Sequence, residues 1–281
     1  MTYVIHGATG AQGAPVVAVL SAAGKSVTAL TRNADTVVPG AQRVVVAGYG
    51  STAELTEAYR GADGVFVHLP VVAEEDRQTY ARNILAAVRA ARPARVVFST
   101  SGAPSDPESG GAAAVLAGGL ADTGVSHAVI TPTFYLENLL MPYVLDAVRE
   151  RGVLPYPIRA DFPASWASHL DIADVAAALF DRPDITGAVS VGQYPAITGP
   201  DLAEAFGAHF DKDVTFEQLT PEQFRSSVAP LIGEGPAADV AGFYASVSTL
   251  PHRSITPENS AQKLFGITPR TTGQWLTDIG L

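Results

Sequence analysis

The chain has 281 residues, of which 18 are Lys or Arg and 28 are Asp or Glu, so its formal net charge is −10. Proteins that bind nucleic acids or anionic membranes need clustered basic residues, and this acidic chain has no such cluster, so we set both classes aside. The absence of cysteine excludes disulfides, thiolate catalysis, Cys-ligated zinc and iron–sulfur clusters. A hydrophobic content of 47% predicts a globular protein with a large core.

The amino-terminal segment MTYVIHGATG has neither the charged nor the apolar region of a signal peptide. No apolar run reaches the roughly 18 residues that a membrane helix requires. We therefore expect a cytoplasmic protein without a membrane partner. Its histidines have no partner at helical spacing, so no metal site is predicted.

Short β-branched runs alternate with Ala-rich amphipathic stretches in the first half of the chain, a pattern typical of a parallel sheet between helices. Helices are predicted near residues 11–23, 51–60, 75–91 and 112–122. We interpret the pattern as six βα repeats whose right-handed crossovers place all strands in one doubly wound α/β Rossmann sheet. The predicted strands are Tyr3–His6, Ser26–Thr31, Arg43–Val46, Gly64–Leu69, Arg95–Ser99 and Ser126–Ile130.

The alternation breaks after residue 150, where Pro155 and Pro157 interrupt a short extended piece. A helix over Asp171–Phe180, with Asp171 as its N-cap, and a strand over Ala188–Gly192 are predicted next. We therefore expect a Rossmann domain over residues 1–152, to which 168–196 return. Residues 153–281 then form mainly a smaller α+β lobe that binds the substrate.

A glycine-rich loop follows the first strand and opens the first helix, with the sequence G-A-T-G-A-Q-G. Its glycines allow a tight turn, close approach of a pyrophosphate and close packing of helix on strand. Free N–H groups and the helix dipole then hold the anion. The loop residues predicted to bind a dinucleotide are Gly7, Thr9, Gly10, Ala11, Gln12 and Gly13.

The end of the second strand indicates which dinucleotide is bound. An NAD site usually has an acidic residue there for the ribose 2′-hydroxyl, whereas this strand ends in Thr31-Arg32-Asn33. A guanidinium matches the geometry of a 2′-phosphate, so Arg32 predicts NADP, with NADPH preferred over NADH. The alternative is an exposed loop arginine.

Several segments in this order resemble the NmrA-like family of atypical short-chain dehydrogenases over nearly the whole length of the chain. They are the loop G-A-T-G-A-Q-G, the T-R-N turn, V-F-S-T-S-G-A at Val97–Ala103, T-P-T-F-Y-L-E-N at Thr131–Asn138 and D-I-A-D-V-A at Asp171–Ala176. The resemblance implies an NADP-binding Rossmann domain with a small substrate lobe. Members include reductases of quinones and triphenylmethane-type dyes and non-catalytic redox sensors. Relatives often carry an aspartate that contacts adenine after the third strand, where this chain has Ala47-Gly48-Tyr49-Gly50. Tyr49 either stacks on adenine or is a turn residue.

Ordinary short-chain dehydrogenases use Tyr-x-x-x-Lys, in which the lysine lowers the pKa of the tyrosine that transfers the proton. None of the nine tyrosines here has a lysine four residues later. The three lysines, Lys25, Lys212 and Lys263, lie in a turn and in the tail. Phenol–lysine catalysis is therefore excluded, which leaves hydride delivery to an acceptor that needs little acid assistance.

Candidate site residues end the later strands, where open α/β sheets bind ligands. For the cofactor these are His68, Leu69, Pro70, Ser99, Thr100, Ser101, Pro132, Thr133 and Phe134. Phe134 and Tyr135 are candidates for stacking on a planar substrate, and Tyr135, Ser101 and His68 are candidates for catalysis. Each has a structural alternative. The imidazole of the histidine could be hydrogen-bonded to the backbone, the serines could cap the turn, and the aromatic residues could pack in the core.

These observations predict an NADPH-dependent reductase of a quinone-like or other planar conjugated acceptor. Two alternatives stay open: a non-catalytic NADP(H) redox sensor, and a biosynthetic ketone or imine reductase with Tyr135 or a serine as acid. The expected partner is a small molecule, without nucleic acid, and a homodimer is one option for the assembly.

Overall fold

The computed structural model describes residues 1–33 and 35–281, and these divide into two compact units. The first unit comprises Met1–Pro132, His169–Val191 and Pro257–Ile267. The second unit comprises Thr133–Ser168, Gly192–Thr256 and Thr268–Leu281. These bounds differ from the domain boundary expected at residue 152. What each domain binds stays a prediction.

The elements are numbered along the chain. The strands are β1 (Thr2–Ile5), β2 (Ser26–Thr31), β3 (Arg43–Val46), β4 (Gly64–His68), β5 (Arg95–Ser99), β6 (Ser126–Pro132), β7 (Phe134–Tyr135), β8 (Val153–Tyr156), β9 (Trp166–Ala167), β10 (Gly187–Val191) and β11 (Thr215–Gln218). The helices are α1 (Gly13–Ala22), α2 (Thr52–Tyr59), α3 (Glu74–Ala91), α4 (Ala112–Ala121), α5 (Pro142–Arg151), α6 (His169–Asp181), α7 (Gly199–Phe210), α8 (Pro221–Ile232), α9 (Glu234–Val247), α10 (Ala261–Phe265) and α11 (Thr272–Asp278).

The first unit is built on a seven-stranded sheet in the order β10-β6-β5-β4-β1-β2-β3, in which every pair is parallel. The predicted doubly wound α/β sheet is confirmed, and the six strands predicted in the first half of the chain all lie in it. The predicted later strand joins it as β10. The strand order reverses between β1 and β4, so a crevice is expected at the carboxyl ends of these strands.

None of the four predicted helices lies in the connection between β2 and β3. Among its described residues, 32–33 and 35–42, there is no helix. The interpretation as six βα repeats was therefore wrong, because only four helices separate the first six strands along the described chain. β3 is the edge strand and is mostly exposed, whereas β4 and β5 are almost wholly buried, as their apolar sequences predict.

The helix after residue 168 also corrects a prediction. It begins at His169, two residues before Asp171. Asp171 therefore lies inside the first turn and is buried, so its interpretation as the N-cap was wrong. A carboxylate in this position still interacts favourably with the positive end of the helix dipole.

The second unit packs its helices against two small parallel sheets, β8–β11 and β7–β9. Its core is rich in aromatic side chains, and several of them come from the tail that the sequence predicts to supply lobe core. Burying each such side chain contributes about 1.5–3 kcal/mol. The largest members of this core are Phe134, Tyr156, Trp166, Phe206, Phe224, Tyr244 and Trp275.

Candidate functional site

The glycine-rich loop forms a tight turn between β1 and α1. Gly7 has a φ of 56°, a left-handed conformation that favours glycine. The Gly10 amide donates a hydrogen bond to the Gly7 carbonyl oxygen at 2.7 Å. A Cβ atom on Gly13 would lie 2.2 Å from the same oxygen, so only glycine lets α1 begin this close to the strand. The N–H groups at the start of α1 are consequently held beside the end of β1, an arrangement that suits a phosphate.

A cavity of about 370 Å³ opens in the first unit at the carboxyl ends of β1, β2, β3 and β4. The loop contributes Gly7, Thr9 and Gly10 to its lining, the end of β2 contributes Arg32, and the residues ending β4 contribute His68 and Pro70. The cavity therefore brings together six of the predicted cofactor residues. It lies at the strand-order reversal, where ligands bind in sheets of this type.

The charge of this cavity comes from Arg32, an exposed residue directly after β2. None of the described residues that line the cavity is Asp or Glu. The nearby carboxylate of Glu54 is bound to the Gly48 amide at 3.0 Å. A guanidinium together with free helix N–H groups can bind a phosphate-bearing ligand.

Aromatic rings make the opposite wall of the cavity. The ring of Tyr49 stacks on Tyr80 at a centroid distance of 5.4 Å and lies 5.0 Å from the imidazole of His6. Its hydroxyl donates to the His68 carbonyl oxygen at 3.0 Å. Burial raises the pKa of Tyr49, so this hydroxyl stays protonated. The wall is thus preformed by hydrogen bonding and stacking, and stacking of Tyr49 on adenine stays a prediction.

Three histidines in the first unit, the buried His6 and the half-buried His68 and His169, are neutral near pH 7. Burial, and secondly the charge of His68, lowers the pKa of His6 to about 3, and the same two causes lower that of His169 to about 4. Burial also lowers the pKa of His68, partly offset by a backbone hydrogen bond with Leu69. The Nε2 atom of His6 lies 2.6 Å from the Tyr59 hydroxyl oxygen.

The imidazole of His68 packs against the loop. A Cβ atom on Gly7 would lie 2.3 Å from the Nε2 atom of His68, so the glycine makes room for this ring. Nε2 is buried and has no hydrogen-bond partner. His68 consequently supports the loop conformation, and its predicted contact with a cofactor stays a prediction.

The end of β5 is tied to the glycine-rich loop by side chains. The Ser99 hydroxyl donates to Oε1 of Gln12 at 2.8 Å, and Nε2 of Gln12 donates to the Ser101 hydroxyl at 2.8 Å. Ser101 has a φ of 58°, which is strained for a residue with a side chain. The neighbouring Thr100 has a buried hydroxyl without a hydrogen-bond partner. Ser99 and Gln12 thus use these side-chain hydrogen bonds to connect the end of β5 to the loop, a structural role that the sequence did not reveal.

The predicted residues after β5 fall into different environments. Pro132 ends β6 in the first unit, and Thr133 begins the second unit, where its hydroxyl donates to the Ser165 carbonyl oxygen. Phe134 is only 3% exposed, and Tyr135 is half-buried. β7, which contains both, pairs with β9.

The ring of Phe134 lies 5.0 Å from that of Trp166 and 6.1 Å from that of Tyr244, both nearly parallel to it. These contacts are those of a core residue, the alternative that the sequence left open. Leu69 and Ala11 are not among the residues that line the cavity: the side chain of Leu69 lies in the hydrophobic core, and Ala11 is exposed. Their contact with a cofactor stays a prediction.

The three lysines have other contacts in the structure. Lys25 pairs with Asp181 at 2.7 Å and lies over the ring of Tyr3, at the amino ends of β1 and β2. Lys212 donates to the backbone oxygens of Val148 and Arg149 at the end of α5, and Lys263 is exposed in α10. None of them lines the cavity at the glycine-rich loop.

A parallel sheet of this strand order, with a glycine-rich loop at its reversal point, defines a Rossmann-type fold. The chain belongs to the NmrA-like family, whose model matches residues 1–249. No curated protein matches the chain. Within the described residues, no helix is long and apolar enough to cross a membrane.

Several solved structures are similar over nearly their whole length. A triphenylmethane reductase of Citrobacter sp. is 18% identical, with a TM-score of 0.81 and all of both chains covered. An NADPH-dependent quinone oxidoreductase of Escherichia coli, solved as a complex with NADPH, is 22% identical, with a TM-score of 0.74 and 99% of each chain covered. NmrA, a negative transcriptional regulator, is 15% identical, with a TM-score of 0.70, and 99% of this chain and 95% of that chain are covered. At these identities, the likeness shows the fold.

Proposed function

We propose that the protein is an NADPH-dependent reductase that delivers hydride to a quinone-like or other planar conjugated acceptor. The observation that carries the proposal is the cavity at the glycine-rich loop, with Arg32 at its edge and no acidic residue among its described lining. Relatives of similar fold include structures bound to NADPH and to NADP(H), which supports NADP as the cofactor.

The residues of the first unit fit such a cofactor. The N–H groups at the start of α1 would bind the pyrophosphate, and the guanidinium of Arg32 would pair with the 2′-phosphate. The strained turn at Ser101, tied to Gln12, would hold the end of β5 in position. When bound, the cofactor supplies the hydride, and the protein supplies orientation.

The lack of a Tyr–Lys pair limits the acceptor. A simple ketone needs an acid to protonate its oxygen as hydride arrives, whereas a quinone or an extended cationic dye is electrophilic enough to accept hydride with little such help. The similarity to a quinone oxidoreductase and a triphenylmethane reductase supports this class of acceptor. The product oxygen of a quinone can afterwards take its proton from water.

Steady-state assays test the proposal directly. We expect NADPH oxidation, followed by its absorbance, with at least one member of a panel of quinones, triphenylmethane dyes and conjugated enones. Turnover should be slower with NADH at equal concentration. If no member of the panel is reduced, the protein is not this reductase.

Arg32→Ala tests how the cofactor is read. The exchange should weaken NADPH binding by about 10- to 100-fold, since hydrogen bonds to charged groups contribute about 1.5–3 kcal/mol. NADH binding should change little. Arg60→Ala, an exposed arginine paired with Glu57, is the matched control. Equal weakening of both cofactors would show that Arg32 does not read the 2′-phosphate.

A redox sensor is the second candidate, favoured by the similarity to NmrA, a transcriptional regulator, and by the placement of all lysines away from the cavity. A sensor would bind NADP and NADPH with different affinities or change conformation between them, without turnover. A ketone or imine reductase, with Tyr135 or a serine as the acid, is the third candidate. Full activity of Tyr135→Phe would exclude Tyr135 as that acid.

A further inference from the structure

A carboxylate lies at the rim of the cavity in the first unit. Glu54 belongs to the first turn of α2, and its Oε2 atom accepts a hydrogen bond from the Gly48 amide at 3.0 Å. Gly48 is one of the residues that line the cavity. A Cβ atom on Gly48 would lie 4.0 Å from Oε2 of Glu54, so the carboxylate is close to the space in front of this glycine.

Three hydrogen bonds fix the turn between β3 and α2 that carries this carboxylate. The Ser51 amide donates to the Gly48 carbonyl oxygen at 3.1 Å, and the Glu54 amide donates to the Ser51 hydroxyl, which caps α2, at 3.3 Å. The bond from the Gly48 amide to the Glu54 side chain is the third. Glu54 has no ion-pair partner within the part of the chain that the structure describes, and its Oε1 atom accepts no hydrogen bond there. The carboxylate is therefore positioned and still able to accept a hydrogen bond from a ligand.

The chemistry of the proposed cofactor would bring its base to this rim. With the pyrophosphate at the glycine-rich loop and the 2′-phosphate at Arg32, the ribose that carries this phosphate would lie beside the end of β2. The base is attached to the same ribose, so it would extend along the neighbouring part of the wall, which comes from the ends of β2 and β3. This part of the lining consists of Leu30, Thr31, Ala47, Gly48, Tyr49 and Gly50.

Two backbone acceptors in this part of the wall are already bound within the protein. The Gly48 carbonyl oxygen accepts from the Ser51 amide, and the Tyr49 carbonyl oxygen accepts from Nδ2 of Asn83 at 3.0 Å. A hydrogen bond to a carboxylate is roughly twice as strong as one between neutral groups. Oε1 of Glu54 is thus well suited to accept from an amino group that lies in front of Gly48.

We propose that Glu54 accepts a hydrogen bond from the 6-amino group of the adenine base and makes the site selective for an adenine dinucleotide. The inference rests on the proposed function, because it needs the dinucleotide in the cavity. It assigns recognition of the base to Glu54 and leaves recognition of the 2′-phosphate to Arg32. Hypoxanthine has a carbonyl oxygen in place of the amino group, and a carboxylate cannot donate a hydrogen bond to it. A site that is built for one hydrogen bond rejects the analogue that lacks it.

Binding titrations with NADPH and with its hypoxanthine counterpart provide the test, since they need no turnover. The fluorescence of the dihydronicotinamide ring follows both ligands, because this ring is common to them. The wild type should bind NADPH about five- to tenfold more tightly, as expected for a hydrogen bond to an exposed charged group. Glu54→Ala should bring the two affinities to within about twofold of each other. Glu54→Gln keeps an oxygen for the Gly48 amide but also offers N–H donors, so it should equally lose the preference.

Two further variants are controls. Glu57 is an exposed carboxylate of the same helix that pairs with Arg60, and Glu57→Ala should keep the adenine preference in full. Arg32→Ala should weaken the binding of both dinucleotides by the same factor and also keep the preference. The reason is that it removes a contact with the phosphate, which the two ligands share.

The outcomes separate this inference from the proposed function. An adenine preference that is unchanged in both Glu54 variants overturns the inference, and so does a wild type without a preference. If the wild type binds neither dinucleotide, the inference fails together with the proposed cofactor. The expected ratios in a protein that reduces no acceptor would support the contact with the base while refuting the reductase. If Glu54→Ala does not fold, Glu54→Gln, which keeps the bond to Gly48, gives the comparison.

Discussion

In the first unit, the groups that suit a ligand are mainly backbone atoms and small residues at strand ends, whereas the core of the second unit is built from large side chains of distant segments. The cavity at the glycine-rich loop depends on Gly7, Gly10 and Gly13, which follow one strand. In the second unit, the rings of Phe134, Trp166, Phe243 and Tyr244 pack together, and the guanidinium of Arg253 lies over two of them. A ligand site made from backbone geometry is local in the sequence, whereas a core made from packed side chains is not.

We expect the largest effect on stability from replacing Phe134. If this replacement left the stability unchanged, the second unit would not depend on its packed side chains as the comparison states. Phe134→Ala removes a ring that is 3% exposed, so we expect a loss of about 3–5 kcal/mol in the free energy of unfolding. Urea unfolding followed by tryptophan fluorescence measures it, because Trp166 stacks on Phe134. Phe210→Ala, at a half-buried position of the same unit, should lose less. Unchanged stability with lost turnover would make Phe134 a substrate residue instead.

Acid should destabilise the first unit through its neutral histidines. The pKa of His6 is about 3 and that of His169 about 4 in the folded protein, both below their ordinary value of 6.5. The unfolded chain therefore binds protons first, and stability present above pH 6.5 is lost as the pH falls from there towards 4 and 3. The slope approaches about 1.4 kcal/mol per pH unit for each histidine.

Urea unfolding followed by circular dichroism at pH values from 7 to about 4 measures this loss. His6→Gln removes one titrating group while keeping a polar partner for Tyr59, so its stability should fall less steeply with acid. His252→Gln, an exchange at an exposed histidine, should leave the slope unchanged. Parallel slopes in the wild type and His6→Gln would contradict the assignment of a neutral buried His6.

Gly13→Ala should destabilise the protein less than Phe134→Ala does. It tests whether the cofactor site of the first unit depends on backbone geometry. The added Cβ would meet the Gly7 carbonyl oxygen at 2.2 Å, so the loop must shift. We expect a loss of about 1–3 kcal/mol and clearly weaker NADPH binding in a titration. Gly118→Ala in α4, where a Cβ would meet nothing within 4 Å, should keep cofactor binding and stabilise its helix by up to about 1 kcal/mol. Equal NADPH affinity in both variants would show that the tight approach of α1 is not required.

Much of the first unit could be predicted because its signals are local. The bounds of β2, β3 and β5 match the predictions, since β-branched runs between helical stretches mark buried strands. Two predictions failed for local reasons. The connection after Arg32 has no helix among its described residues, so the first six strands do not make six βα repeats. The helix that was predicted to begin at Asp171 begins two residues earlier, at His169.

The candidate site could be predicted only in part. Loop residues and Arg32 follow directly from their position after strands, and the cavity brings them together with His68. The bonds from Gln12 to Ser99 and Ser101 join residues almost ninety positions apart, so nothing in the local pattern indicates them. For Phe134, the sequence left stacking on a substrate and core packing equally open, and the contacts in the second unit favour packing.

The sequence by itself determined the parallel fold, the glycine-rich loop and the absence of a Tyr-x-x-x-Lys motif, because each depends on residue types at short, fixed spacings. Only the tertiary structure decided which polar groups are free to meet a ligand and which are bound to the scaffold. It also decided that Arg253, an unremarked residue in the tail, lies over the rings of Phe134 and Phe243. The physical reason is that side-chain burial and hydrogen bonding join residues by distance in space, which a linear pattern does not encode.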